Sequence, residues 1–200
     1  MKILLDQSPK LIAEKSEKYD YELWQLRTPL TGYALSGMPY GLDNGCFSIF
    51  NEKAWRRLLL EAHASRPLFV CLPDIVGDAR RTIELFGHFS EATRGLPRAL
   101  VLQDGIGEFD VPWDELDAVF IGGSGGFKNS TEANNAARTA KMMGKWVHVG
   151  RVNTPLRVRN WLGLGDSIDG SGISRYDHML EEVISTIKGE HSQMEMMGCL

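Results

Sequence analysis

The chain has 200 residues, a formal net charge of −4 and a hydrophobic content of 43%. This length suits one buried domain (residues 1–200) and is short for two, and no apolar run approaches the ~20 residues that span a bilayer. The negative charge argues against a protein that coats nucleic acid by bulk attraction, and three widely spaced cysteines (Cys46, Cys71 and Cys199) predict a reducing, cytoplasmic setting without a zinc framework.

Short apolar runs alternate with helical patterns along the chain. Predicted strands cover residues 2–6, 21–27, 68–72, 99–102, 118–121 and 146–149. Predicted helices cover residues 9–19, 79–92, 131–143 and 155–162, together with segments that begin after Asn51 and after Ser174, and the tail from about residue 189 is expected to fray. Some seven such units predict an α/β fold, a small closed (β/α) barrel of the TIM type with some units reduced, rather than an open doubly wound sheet.

A polar residue or a glycine stands just after most of the apolar runs. These residues are Asp43, Asp74, Gln103 with Asp104, Gly122 with Gly123, His148 with Arg151, and Asp169. A barrel brings the carboxyl ends of all its strands to one rim, so we expect these side chains to surround a shared site. The clearest example is the stretch 165–172, in which Asp166 and Asp169 are joined by Ser-Ile and closed by Gly-Ser-Gly.

The motif inventory narrows the chemistry at this rim. The sequence contains no nucleophile elbow, no Walker motif and no dinucleotide-binding fingerprint, and its histidines do not pair with cysteines at metal-ligand spacing. The glycine-rich run 122–126 could cradle a phosphate or form the wall of a pocket. The remaining carboxylates suit chemistry at a glycosidic carbon, and carboxylates with a Gln side chain match the donor-rich edge of guanine. The residues alone therefore predict sugar or nucleoside chemistry in a barrel.

Basic residues are concentrated in one part of the chain. Between residues 128 and 159 the only acid is Glu132. The basic residues there are Lys128, Arg138, Lys141, Lys145, Arg151, Arg157 and Arg159. Such a band in an acidic protein indicates a polyanion bound at one face, although Arg138 and Lys141 fit solvated helix charges better.

Taken in order, these motifs resemble the tRNA-guanine transglycosylase (queuine/archaeosine) superfamily. They are most similar to its small phage and bacterial branch, which inserts 7-deazaguanine bases into DNA. The segment 43–47 (DNGCF) resembles the family's Asp-Ser-Gly-Gly-Phe motif, 102–105 (LQDG) its Val-Gln-Gly-Gly segment, and 166–169 (DSID) its Asp-x-x-Asp element. The resemblance covers about residues 40–175. Cys46 and Asp104 each replace a family glycine, and the zinc subdomain of the tRNA enzymes is missing, which favours DNA as the substrate.

The resemblance implies a role for each residue at the rim. Asp169 would be the nucleophile and Asp43 the general acid and base. The base would be bound by Asp74, Gln103, Asp104, Gly122, Gly123 and Asp166. His148, Arg151 and Arg157 would hold phosphates beside a flipped-out deoxyguanosine, and for His148 a buried, hydrogen-bonded ring is an equal alternative.

The reaction that the resemblance implies is an exchange of bases in DNA. Guanine would leave a covalent glycosyl-aspartate, and a free 7-deazaguanine such as preQ0 or a derivative would take its place. The expected partners are DNA and this free base, without cofactor, metal or membrane, in the cytoplasm (of the host, if a phage encodes the protein). A homo-oligomer or a partner protein is compatible with this prediction.

Two other functions stay open at this point. The first is a barrel aldolase or isomerase for a small phosphorylated sugar, with residues 122–126 as its phosphate site. It needs a basic group such as a Schiff-base lysine at a strand end, and the sequence offers none there. The second is a module that binds modified DNA without turnover, for which loss of Asp43 or Asp169 would be the sign; both are present.

Overall fold

The sheet closes on itself. The computed structural model describes residues 1–35 and 37–196, the stretch 190–196 by its backbone alone. In this part of the chain eight parallel strands form a closed barrel in chain order, and β1 pairs with both β2 and β8. The strands are β1 (Lys2–Leu5), β2 (Leu23–Arg27), β3 (Tyr40–Leu42), β4 (Val70–Cys71), β5 (Arg98–Leu102), β6 (Ala118–Ile121), β7 (Trp146–Val149) and β8 (Ser167–Asp169). The predicted (β/α) barrel is confirmed, with one strand more than the seven or so units expected.

Seven α-helices accompany these strands in the described residues. They are α1 (Pro9–Tyr19), α2 (Glu52–Ser65), α3 (Ala79–Phe89), α4 (Thr131–Met142), α5 (Pro155–Trp161), α6 (Ser171–Arg175) and α7 (Asp177–Met196). The described connections from β2 to β3 and from β5 to β6 carry no α-helix, so these units are reduced. Within the described chain no helix is long and apolar enough to cross a membrane.

Side-chain caps set where several helices begin. Asn51 Oδ1 accepts from the Ala54 N–H (3.0 Å), as the sequence predicts. Either Ser130 or Thr131 could cap α4 by sequence, and the structure shows Ser130, whose Oγ accepts from the Ala133 N–H (3.1 Å). The prediction that Ser174 caps the last helix is wrong, because this residue lies inside α6, where its hydroxyl accepts from the Asp6 N–H at 3.3 Å. The backbone of α7 continues to Met196. The rest of the predicted frayed tail, and Cys199, lie outside the described residues.

Side chains alternate along the strands between two cores. Ile3 and Leu5 belong to the large core between barrel and helices, whereas Leu4 belongs to the smaller core inside the barrel. The inner core also contains Leu26, Phe69, Cys71, Ala99, Val101 and Ala118. Alternation of this kind follows from the two-residue period of a strand.

A glycine of β3 makes room for the largest side chain of the inner core. A Cβ atom at Gly41 would lie 2.4 Å from the ring of Phe69, which is fully buried. The Phe69 ring in turn lies 4.9 Å from the His148 ring and 6.4 Å from the Phe120 ring, centre to centre. The inner core therefore has an aromatic layer, and Phe120 from this layer also lines the floor of a pocket at the rim.

We expect Gly41→Ala to destabilise the protein by roughly 1–3 kcal/mol, because the added methyl overpacks a core ring that has no free space. The free energy of unfolding in urea measures this. Gly87→Ala is the matched control, because Gly87 lies within α3 and an added methyl there would have no neighbour within 4 Å. This control should be neutral or stabilising by up to about 1 kcal/mol. Equal effects of the two substitutions would show that the contact with Phe69 is unimportant.

Candidate active site

The carboxyl ends of the strands surround two adjoining cavities. The first, here called the inner pocket, has a volume of about 80 Å³ and is lined by Asp43, Asn44, Phe47, Asp74, Val76, Val101, Gln103, Phe120, Gly122, Gly123, Lys128, Arg151 and Asp169. The second, here called the outer groove, has a volume of about 650 Å³ and includes Asp6, Thr28, Thr31, Ser48, Ser171 and Arg175 in its lining. Asp43, Phe47, Arg151 and Asp169 line both cavities, so the two are compartments of one site.

Most of the predicted site residues meet at the inner pocket. It brings together six of them: Asp43, Asp74, Gln103, Gly122, Gly123 and Asp169. Arg151 joins them from the loop after β7. The prediction that strand ends converge on one site is therefore confirmed for these residues.

Three carboxylates close together raise the pKa of Asp43. Burial first, and then the negative charges of Asp169 and Asp74, raise it from 3.8 to about 7. The backbone N–H of Asn44 donates to Asp43 Oδ1 at 2.7 Å and opposes this rise. Asp43 therefore exchanges its proton near neutral pH, which is what a general acid and base requires.

Asp74 is held by two amide side chains. Asn44 Nδ2 donates to Asp74 Oδ1 at 2.8 Å and to the Leu72 carbonyl at 2.6 Å, and Gln103 Nε2 donates to Asp74 Oδ2. Gln103 Oε1 accepts from the Gly77 N–H at 2.9 Å, which fixes the orientation of its amide. Burial raises the pKa of Asp74, and the bonds from Asn44, Cys46 and Gln103 oppose that rise. The result is a rigid acceptor in the wall of the inner pocket.

Asp169 stands at the end of a chain of hydrogen bonds inside the barrel. Trp146 Nε1 donates to Ser167 Oγ at 2.8 Å, Ser167 Oγ lies 2.7 Å from His148 Nδ1, and His148 Nε2 lies 3.1 Å from Asp169 Oδ1. The indole can only donate, so the Ser167 hydroxyl is free to donate to Nδ1, and Nε2 then donates to Asp169 Oδ1. The chain therefore orients the Asp169 carboxylate.

The same chain corrects the prediction for His148. Its side chain has no exposed surface, and it packs against Phe69 and Phe120 at ring distances of 4.9 and 4.6 Å. A phosphate cannot reach it there. The predicted phosphate contact is wrong, and the alternative of a buried, hydrogen-bonded ring is correct.

Two further predicted base contacts are also wrong. Asp166 precedes β8 and so lies at the opposite end of the barrel, where it pairs with Lys141 Nζ (2.6 Å) and accepts from the Val147 N–H (2.8 Å). Asp104 does not line the inner pocket. Its carboxylate accepts from the N–H (2.8 Å) and the hydroxyl (2.5 Å) of Ser124, and so anchors the glycine-rich loop after β6.

The loop after β7 is fixed to Asp169. The Arg151 N–H donates to Asp169 Oδ1 at 3.2 Å, and the Arg151 backbone has a φ of +63°, an uncommon value for a residue with a side chain. Its guanidinium lies 3.9 Å from the centre of the Phe47 ring, which is 62% exposed. Arg157 Nη1 donates to the Arg151 carbonyl at 3.1 Å, which puts a second guanidinium at the rim. The phosphate contacts of Arg151 and Arg157 stay predictions, and both groups lie where such contacts could form.

The glycines of the loop after β6 allow close approach to the pocket. Gly123 has a φ of +67°, and a Cβ there would lie 2.7 Å from Asp104 Oδ2 and 2.8 Å from the Phe127 ring. At Gly122 a Cβ would lie 2.6 Å from a methyl of Val101. Both positions therefore require glycine, and the wall of the inner pocket that they form is bare backbone.

The sequence analysis missed several residues of the site, of which four bear on its chemistry. Asn44 and Phe47 lie in the segment 43–47, in which the sequence analysis gave a role only to Asp43. Asp6 follows β1, and no glycine after this strand marked its end as part of a site. Lys128 comes from a short 3-10 turn after the glycine-rich loop, yet it lines the inner pocket. This last finding corrects the statement that no lysine is available at the rim. Only the rule that polar residues follow strands could have found Asp6. Lys128 was predicted only as part of the basic band 128–159, without a place in the pocket.

No protein-family model matches the chain. No curated protein matches it either. Among the described residues, no group of three or more His, Cys, Asp or Glu side chains is arranged to hold a metal ion.

We expect Asp43→Asn to stabilise the protein at pH 8 and to change little at pH 4. A carboxyl with a folded pKa of about 7 and an ordinary pKa of 3.8 binds its proton more tightly in the folded state, so stability falls as the pH rises through this window. The asparagine oxygen can still accept from the Asn44 N–H. The free energy of unfolding in urea at pH 8 should rise by on the order of 1–4 kcal/mol.

Asp114→Asn is the control for this prediction, because Asp114 is exposed in the turn Trp113–Glu115, away from both cavities. The difference in the free energy of unfolding between this variant and the wild type should not depend on pH. A loss of stability in Asp43→Asn at pH 8 would contradict the charge repulsion inferred for the inner pocket.

Proposed function

We propose that this protein is a base-exchange glycosyltransferase that replaces guanine in DNA with a 7-deazaguanine base through a covalent glycosyl-aspartate. The observation that carries the proposal is the shared lining of the inner pocket: Asp43 and Asp169 face the same cavity, beside Asp74 and Gln103. Two carboxyl groups at one cavity, one to attack and one to transfer a proton, are what displacement at a glycosidic carbon requires.

Asp74 and Gln103 supply recognition of the base. The carboxylate of Asp74 can accept from the N1–H and the exocyclic amine of guanine, and its amide partners hold it in place. Adenine has an acceptor at N1 and no amine at C2, so its N1 lone pair would face the Asp74 carboxylate and be repelled by it. The pocket therefore favours guanine and its 7-deaza analogues.

The reaction consists of two displacements at one carbon. A carboxylate oxygen of Asp169 bonds to C1′ of the nucleoside while the C1′–N9 bond breaks, and protonated Asp43 supplies the proton that the departing guanine takes up. The incoming 7-deazaguanine then gives its N9 proton to Asp43, its N9 bonds to C1′, and the bond to Asp169 breaks. The hydrogen bonds from His148 and Arg151 support Asp169 as a charged leaving group at that step.

The size of the inner pocket bears on how the base enters. A volume of about 80 Å³ is below the usual range for ligand sites, and the stacked pair of Phe47 and Arg151 lies between this pocket and the outer groove. Both side chains are exposed and can rotate, which would open room for a purine. The ring of Phe47 can then stack on the base, and a base can enter only if it is flipped out of its duplex.

Cations at the rim suit a nucleic-acid backbone. Arg151 and Arg157 lie beside the inner pocket, and Arg175 lines the outer groove. The groove has a volume of about 650 Å³, and hydroxyl groups that can donate hydrogen bonds also line it. These belong to Thr28, Thr31, Ser48 and Ser171. These groups would hold the phosphates that flank the flipped nucleotide.

One observation favours a second candidate function. Burial lowers the pKa of Lys128 to about 8, and the side chain lines the inner pocket. An amine of this kind can form a Schiff base, as an aldolase for a sugar phosphate requires. The test is reduction with borohydride in the presence of a small aldose or ketose phosphate, followed by mass spectrometry for an adduct on Lys128.

The experiment that tests the main proposal mixes the protein with duplex DNA, labelled 7-cyano-7-deazaguanine and a chelator. Label that enters the DNA supports base exchange without a metal. Binding of DNA without incorporation supports a recognition module. If DNA is neither bound nor modified, an adduct on Lys128 in the borohydride test supports the aldolase. Incorporation into RNA of the same sequence but not into DNA would overturn the choice of DNA as substrate.

Asp169→Asn should abolish incorporation, by at least roughly 10³-fold, because an amide oxygen cannot form the glycosyl ester. The amide oxygen can still accept from the Arg151 N–H and His148 Nε2, so the fold and DNA affinity should change little. Incorporation kinetics and DNA binding by fluorescence anisotropy measure the two effects separately.

Asp166→Asn is the matched control, with the same chemical change three residues away at the opposite end of the barrel. It should keep its rate of incorporation even if its pairing with Lys141 is weakened. Turnover retained in Asp169→Asn would remove Asp169 from the role of nucleophile.

A further inference from the structure

Lys128 is a largely buried cation in the wall of the inner pocket. The residue is 7% exposed, and within the described residues its ammonium forms no hydrogen bond or ion pair. The charges that act on it are those of Asp169, Arg151, Arg157 and Asp104, of which two repel it. The ammonium is not fully enclosed by protein, so it is open to the pocket, where a ligand can supply the acceptor that the protein does not.

The position of Lys128 shows which part of a ligand it meets. Its side chain lines the inner pocket and does not line the outer groove. A group that bound the sugar-phosphate backbone would face the groove, where Arg175 lies. Lys128 therefore faces the base.

Lys128 also stands on a different wall from Asp74. Asp74 follows β4, Gln103 follows β5, and the loop that carries Lys128 follows β6, in the order of the strands around the barrel. At the usual spacing of ~4.8 Å between strands, two strands separate these walls by roughly 10 Å at the rim. Asp74 thus forms an anionic wall of the pocket and Lys128 a cationic wall, with Gln103 between them.

A purine bound by its donor edge at Asp74 would turn its acceptor edge to Lys128. In guanine this edge consists of O6 and N7. A 7-deazaguanine has carbon in place of N7, so only O6 and the substituent at position 7 can meet the ammonium. A nitrile, carboxamide or carboxylate accepts a hydrogen bond there, whereas a protonated aminomethyl group would be repelled at close range.

We propose that Lys128 selects the incoming base by its substituent at position 7, favouring 7-deazaguanines with a hydrogen-bond acceptor there and rejecting those with a protonated amine. This inference rests on the proposed base exchange, because it assumes that a guanine-like base occupies the inner pocket. The loop that presents Lys128 is held by Asp104 through Ser124, so the backbone that carries this side chain is fixed beside the pocket.

The test compares 7-cyano-7-deazaguanine with 7-aminomethyl-7-deazaguanine. Binding of each free base is measured by titration calorimetry, and incorporation of each into DNA by kcat/KM. The wild type should prefer the cyano base by roughly 10- to 100-fold in both, the equivalent of one charged hydrogen bond. Lys128→Met should reduce this ratio to about one while retaining the apolar stem, and Lys128→Glu should reverse it. Lys145→Met, on the turn before β7 at the opposite end of the barrel, should leave the ratio unchanged.

The outcomes separate this inference from the proposed function. Incorporation of both bases with equal efficiency by the wild type overturns the role of Lys128 and leaves base exchange intact. A preference in binding without incorporation of either base supports the role of Lys128 and overturns base exchange. Binding of neither base overturns both. The ratio in the wild type decides the question even if the Lys128 variants do not fold.

Discussion

The pairing of β8 with β1 is the constraint on which the site depends. In this pair Leu4 stands opposite Asp169, while Leu42 of β3, just before Asp43, is paired with Val70 of β4. Because all strands are parallel and the sheet is closed, residues that end β3 and β8 face one opening although they lie far apart in the chain. In an open sheet with the same strand order, β1 and β8 would be opposite edges, and Asp43 and Asp169 could not share a cavity.

The site gathers like charges, and this opposes folding. Asp43, Asp74 and Asp169 line one small pocket, and Lys128 adds a largely buried cation to its wall. The barrel offsets this cost with its two apolar cores and with amide and imidazole donors to the carboxylates. Functional sites commonly trade stability for chemistry in this way. Here the trade yields a carboxyl, Asp43, whose pKa is raised to about 7 beside a second carboxyl held by hydrogen bonds.

The sequence predicted most residues of the rim correctly, because the carboxyl ends of all the parallel strands in a barrel lie at the same end of the barrel. That rule found Asp43, Asp74, Gln103, Gly122 and Asp169. The rule does not predict whether a side chain points into the barrel or towards the rim, and it failed for this reason at His148. Trp146 and His148 occupy alternate positions of β7 that point inwards. The rule failed at Asp166 because a strand of only three residues separates the two ends of the barrel. The position of Lys128 in the pocket could not be predicted, because the path of an irregular loop depends on contacts such as that of Asp104 with Ser124.

One acid–base group is enough for the proposed exchange because of how the cavities are arranged. Asp43 and Asp169 border both compartments, whereas Asp74, Gln103 and Lys128 border the inner pocket alone. The leaving and the incoming base must then occupy the same pocket in turn, with the same edge against Asp74. The proton that Asp43 gives to the first base leaves it as the carboxylate that the second base needs, and a pKa of about 7 makes both forms accessible near neutrality. A second catalytic acid would be required only if the two bases approached C1′ from different sides.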